Sequence, residues 1–151
     1  MKGTLAEKGE IKGGDTGHVH TTIKVENFFD WTRVQEKKRR RIRTVIIPDA
    51  LVDRGTMHLC LPSRCIKELG LKRYPGTITA TTAASVVERQ LYGGVLLTIE
   101  DLTEECAVAE LPDNAPALVG VAPLEGLDYT VDPTTQSLIG KHGKKRVMLM
   151  Y

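Results

Sequence analysis

The stretch "ALVDRGTMHLCLP" (residues 50–62) sets an apolar triplet ahead of an acid and an arginine, then breaks the run at a glycine. Asp and Arg are seldom fully buried without a partner, so a charged pair behind a buried-looking strand asks for a role. "ALVG" (residues 117–120) repeats the triplet ahead of a glycine, without the acid. A short helix near a proline follows each copy. The first is "PSRCIKELGL", with Pro62 in the first turn, Ile66 and Leu69 three apart and Gly70 as a stop; the second lies around "PLEGL". This internal echo predicts a pseudo-two-fold core whose first half carries Asp53 and whose second half carries Gly120.

Outward from that core the chain reads mainly as strands. "HVHTTIKVEN" places Val19, Thr21, Ile23 and Val25 on one face, the period-2 pattern of a half-buried strand. "FFDWTRVQEKKRRR" reads as a polar loop, with Phe28, Phe29 and Trp31 packing it onto the sheet. "IRTVIIPDALVD" reads as a strand with Pro48 at a bulge or edge. "MHLCL", "GTITATTAA", "SVVERQLYGGVLLTIEDL" and "EECAVAEL" are further strands, and Gly93 and Gly94 mark a close approach or kink. Two strands joined at "DPTTQ" close the chain.

Composition bounds the class. A chain of 151 residues with 41% hydrophobic and 26% charged residues fits one globular domain. Aromatics are only 5%, so Val, Leu and Ile must fill the core. The net charge of +2 gives no global pull toward nucleic acid or membrane. Three cysteines, Cys60, Cys65 and Cys106, show no framework spacing, which points to a reducing, cytoplasmic setting. No apolar run reaches the roughly 18 residues of a membrane helix. Residues 1–17 read as a flexible N-terminal extension, 18–140 as the domain and 141–151 as a basic C-terminal tail.

The order of two apolar residues, Asp53, Gly55 and the later Leu118, Val119 and Gly120 resembles the retropepsin-type aspartic peptidases. The similarity spans residues 18–140, from "HVHTTIKVENFFD" through the Asp53 motif to "ELPDNAPALVGVAPLEGLDYTVDP", and is nearest the small bacterial single-domain members. The resemblance implies a closed, mainly β barrel with one or two short helices. It also implies a homodimer that hydrolyses peptide bonds with water activated by paired Asp53 carboxylates. Two carboxylates a few ångströms apart share a proton, so one activates water while the other hydrogen-bonds the scissile carbonyl. A chain with one such acid needs a second copy. By the same resemblance Gly55 turns the chain after Asp53, Leu118, Val119 and Gly120 pack beneath it, and a hairpin near residues 79–88 covers an extended peptide or protein substrate. No metal or other cofactor is implied, and neither nucleic acid nor a membrane is an expected partner.

One position departs from that pattern. Arg54 stands where the family has Thr or Ser, and Thr56 where it usually has Ala. The family's hydroxyl braces the two catalytic turns across the dimer; a guanidinium has no acceptor and cannot do so. Two arginines about 6 Å apart near the axis would repel by roughly 3 kcal/mol at an effective dielectric near 20. Either Arg54 turns outward to solvent, or the chain is a catalytically silent dimer or peptide-binding module.

Other motifs carry plainer readings. Asp15, Thr16 and Gly17 match the family's letters but lack the preceding apolar pair. Without the resemblance, Asp53 reads as an acid capping a turn beside Arg54, a surface pair worth about 0–1 kcal/mol. "EKKRRRIR" (residues 36–43) can contact phosphates, but no aromatic alternates with its charges, and it reads as a solvated loop. His18, His20, His58, Cys60 and Cys65 lack zinc-site spacing.

Overall fold

The alternation at the start of the domain becomes β1 (Val19–Asn27), which buries Val19, Ile23, Val25 and Asn27. The computed structural model of the chain describes residues 19–81, 84–132, 134–135 and 137–144. Asp15, Thr16, Gly17 and His18 lie outside these residues. β2 (Thr44–Val52) pairs antiparallel with β1. Thr21 faces Ala50 while Ile23 faces Ile47, so β2 carries one extra residue in this interval. Pro48 falls there, where a missing N–H interrupts no ladder, as its sequence position suggested.

The stretch read as a polar loop is instead a helix, α1 (Phe28–Gln35), followed by an exposed basic turn. Asn27 caps it by accepting the Asp30 N–H at 2.9 Å. Apolar periodicity gave no warning, because its buried residue is a charge: Asp30 accepts from Arg43 Nε at 2.8 Å and from Arg43 Nη2 at 2.9 Å. Phe29 and Trp31 lie at the surface. They are 61% and 38% exposed, with Trp31 stacked on Phe28 and Arg33 over the Phe29 ring.

β3 (Leu59–Pro62) leads into α2 (Ser63–Leu69), the predicted helix, which buries Cys65, Ile66 and Leu69 and ends at a left-handed Gly70 with φ 64°. Asn27 Nδ2 donates to the Leu69 carbonyl at 2.7 Å, so the cap of α1 also secures the end of α2. β4 (Lys72–Thr81) and β5 (Val86–Ile99) form a long antiparallel hairpin, and β6 (Leu102–Leu111) pairs with β5. The β5–β6 register shifts between Tyr92 and Val95, at the glycine pair read as a kink. Then come β7 (Leu118–Val119), α3 (Val121–Gly126), β8 (Tyr129–Asp132) and β9 (Ser137–Lys144), the last running past residue 140 into the stretch read as a tail.

The fold is mainly β. Its large sheet has the order β1-β2-β7-β3-β6-β5-β4, and β1 also pairs with β5, so the sheet closes into a ring with β4 outside it. β8 and β9 make a separate two-stranded sheet. Three helices occur among the described residues, where one or two were expected. The largest fully buried side chains are all Ile, Leu or Val, as the scarcity of aromatics requires. No described helix is long and apolar enough to cross a membrane.

Candidate active site

The two echoed triplets lie side by side. β2 and β7 run parallel with Leu51 opposite Leu118 and Val52 opposite Val119, so identical letters pair in register. The Leu51 N–H donates to the Ala117 carbonyl at 2.9 Å and the Asp53 N–H to the Val119 carbonyl at 3.0 Å. This ladder delivers Asp53 to the end of β2, beside Gly120 at the end of β7. Val119 is fully buried beneath the turn, and Leu118 is half-buried in the wall of a cleft.

Residues 53–56 fold into a turn held by the acid itself. Asp53 Oδ1 accepts the Gly55 N–H at 2.8 Å, Oδ2 accepts the Thr56 hydroxyl at 2.9 Å, and the Asp53 carbonyl accepts the Thr56 N–H at 3.2 Å. An Asp side chain bonding two residues ahead is an Asx turn. Arg54 is exposed and makes no hydrogen bond or ion pair with a described residue.

The second half of the echo braces this turn. The N–H groups of Gly120, Val121 and Ala122 donate to the carbonyls of His58 at 3.0 Å, Thr56 at 2.8 Å and Met57 at 2.9 Å. A helix start leaves such donors without partners of its own; here the loop after Asp53 takes them. The approach leaves no room for a side chain, since a Cβ on Gly120 would lie 2.5 Å from the carbonyl oxygens of both Thr56 and His58. Gly120 is therefore a packing requirement.

Asp53 opens into a cleft of about 760 Å³. Thr56, Met57 and His58 line the Asp53 side, and Ile78, Ala80, Val87 and Arg89 of the β4–β5 hairpin line the facing side. The hairpin expected near residues 79–88 thus lies across from Asp53, with residues 82–83 outside the described part. Asp53 is the one carboxylate among the described residues lining the cleft. Cys60, also on the wall, has its thiol pushed up to about 11, first by burial and then by the Asp53 charge, partly offset by Arg89. Burial, with Glu104 and Glu105 nearby, pushes Cys106 up to about 12. Neither thiol is a ready nucleophile near neutrality. Among the described residues no group of three or more His, Cys, Asp or Glu is placed to hold a metal ion.

Thr56 was expected in the active-site turn, but its contact with Asp53 escaped the sequence reading, as did Arg89 altogether. The Thr56 hydroxyl on Asp53 follows from the Asp-x-x-Thr spacing, a local pattern that was legible but unused. Arg89 was announced by "VVERQ", where it alternates with Val87 and so shares its face. Comparison of the chain with protein-family models and with curated protein sequences gives no match.

Proposed function

We propose that this chain is an aspartic-type endopeptidase of retropepsin-like fold that works as a homodimer. The observation that carries the reading is the Asp53 carboxylate at a cleft, both oxygens oriented by its own turn, with no second acid among the described lining residues. Peptide hydrolysis by this chemistry needs a pair, and a symmetric second copy supplies it. The closed sheet and the hairpin across the cleft suit that arrangement.

In the mechanism, ionised Asp53 takes a proton from water as the oxygen forms a bond to the scissile carbonyl carbon. The partner subunit's Asp53, protonated, gives its proton to the carbonyl oxygen. The resulting tetrahedral diol collapses as the C–N bond breaks: the nitrogen takes the proton now held by Asp53, one diol hydroxyl gives its proton to the partner subunit's Asp53, and the pair is restored. Substrate lies extended along the hairpin, offering strand-like backbone hydrogen bonds.

The competing reading is a catalytically silent dimer or peptide-binding module. Its support is Arg54, unpaired among the described residues and adjacent to Asp53 where the resembled family has a bracing hydroxyl. Cleavage of a peptide library between pH 3 and 7 separates the two. The peptidase reading expects cleavage by the native chain and its loss in Asp53→Asn, with sedimentation equilibrium showing a dimer. Cleavage that survives Asp53→Asn, or a monomer at every concentration, overturns it. Activity found only in Arg54→Thr establishes the silent reading.

A further inference from the structure

The cleft wall facing Asp53 carries a cation that its surroundings do not use. In the β4–β5 hairpin Ile78 pairs with Arg89 and Ala80 with Val87, so these four side chains share one face. Their neighbours Thr79, Glu88, Thr81 and Val86 belong to the opposite face, where Val86 is 65% exposed. Three of these four side chains are apolar and the fourth is a guanidinium, half-buried and permanently charged; Thr79 and Thr81 border the cleft as well.

Nothing among the described residues takes up that charge in an ion pair. Among the described residues no carboxylate forms an ion pair with Arg89. Glu110 flanks it in a shallow adjoining pocket, but its oxygens accept from Ser63 Oγ at 2.7 Å and from the Tyr92 hydroxyl at 3.3 Å. Arg89 is the one Arg or Lys among the described residues lining the cleft. A guanidinium on an apolar wall is partly desolvated without compensation, and an incoming carboxylate with bidentate geometry supplies what is missing.

We infer that the cleft selects peptides in which a Glu or Asp side chain sits among aliphatic residues, its carboxylate pairing with Arg89. The inference rests on the reading of the Asp53 cleft as a site for extended peptide. Because side chains of an extended chain alternate, the acid is flanked by residues pointing away, and the aliphatic side chains on its own face meet Ile78, Ala80 and Val87. In a symmetric dimer two Arg89 residues face the substrate, so two acid-preferring positions lie equally far from the scissile bond.

The test uses acetylated, fluorescein-labelled octapeptides of Ala, Val and Ser in which each position in turn is Glu or Gln. Binding is read by fluorescence anisotropy on the full chain carrying Asp53→Asn, which keeps the peptides intact, with and without Arg89→Gln or Arg89→Lys. The expected result is Glu binding about tenfold tighter than Gln at its preferred position. That ratio falls to near one in Arg89→Gln, is partly kept in Arg89→Lys and shrinks with added salt. A Glu-to-Gln ratio that Arg89→Gln leaves unchanged, or no binding by any peptide, overturns the inference. An Arg89-dependent preference without cleavage by the native chain supports the inference while removing the peptidase reading. Cleavage indifferent to Glu does the reverse, and a single preferred position supports Arg89 while counting against the two-fold axis.

Discussion

Thr56 Oγ1 donates to Asp53 Oδ2 at 2.9 Å, so the acid is aimed from within its own turn and Arg54 takes no part in holding it. A hydroxyl three residues after the acid, together with the Gly55 N–H, fixes the carboxylate on both oxygens.

Replacing Thr56 by Val keeps the shape and removes that donor. Loss of a half-exposed hydrogen bond to a charged group is expected to lower stability by about 1 kcal/mol, read from urea unfolding. Peptide cleavage should slow by about tenfold, the factor that corresponds to 1.4 kcal/mol. Thr56→Ser, which restores the hydroxyl, should recover most of both. If Val and Ser variants behave alike, the hydroxyl does not orient the acid.

Gly120→Ala tests the brace. Its methyl group would press on backbone carbonyl oxygens that cannot rotate away, so overpacking is expected to cost about 1–3 kcal/mol or more. Thermal unfolding should report the loss, and the surviving folded protein should cleave poorly because the Asp53 loop has shifted. A variant as stable as the native chain would show that the approach of β7 to residues 56–58 is looser than described.

Asp30 gives the fold an acid limb. The side-chain hydrogen bonds from Arg43 hold its carboxyl below the usual 3.8 against the opposing effect of burial, with a backbone hydrogen bond from Arg43 and the charges of Arg43 and Arg39 adding to the lowering. A depressed folded value means the unfolded chain binds the proton more readily. The contribution is therefore complete above about pH 4 and is lost as the pH falls through the lowered folded value. Asp30→Asn should cost about 2–3 kcal/mol at pH 7, below the usual range for a broken buried pair because the Arg43 side chain is 40% exposed. It should also flatten the decline in urea stability below about pH 4. An unchanged acid limb in the variant would place the acid sensitivity elsewhere.

The raised thiols of Cys60 and Cys106 remain protonated at neutral pH, because their folded values of about 11 and 12 lie well above it. Iodoacetamide at about pH 8 should modify them slowly in the folded protein and rapidly in urea. As the pH rises past about 9 the unfolded chain loses these protons first, so stability should fall from there upward. Fast labelling of Cys60 in the native state would mean that the cleft wall opens.

The parts of the fold governed by apolar period were legible. Val19, Ile23 and Val25 marked β1; Ile66, Leu69 and Gly70 marked α2; and the repeated Ala-Leu-Val placed two strands that turned out to pair in register. α1 was not legible by that route, because polar contacts hold it: Asn27 caps it and Asp30 anchors it to Arg43. The signal that remained was a capping residue with an acid three positions on. Ring closure was likewise hidden, since the pairing of β1 with β5 joins segments about 70 residues apart and depends on sheet twist that no local pattern encodes. At the site, Asp53 and Gly120 could be picked from the echo, whereas Arg89 came from a hairpin whose distance to Asp53 along the chain gave no hint of proximity.

The three hydrogen bonds from Gly120, Val121 and Ala122 to residues 56–58 have a mechanical consequence. They weld the Asp53 side of the cleft into an anvil, whereas among the described residues β4 is joined through the ladder only to β5. Accommodation of guests of different girth must then fall to the hairpin side. Slow hydrogen exchange at those three amides, beside fast exchange along β4, is the signature of such a division of labour.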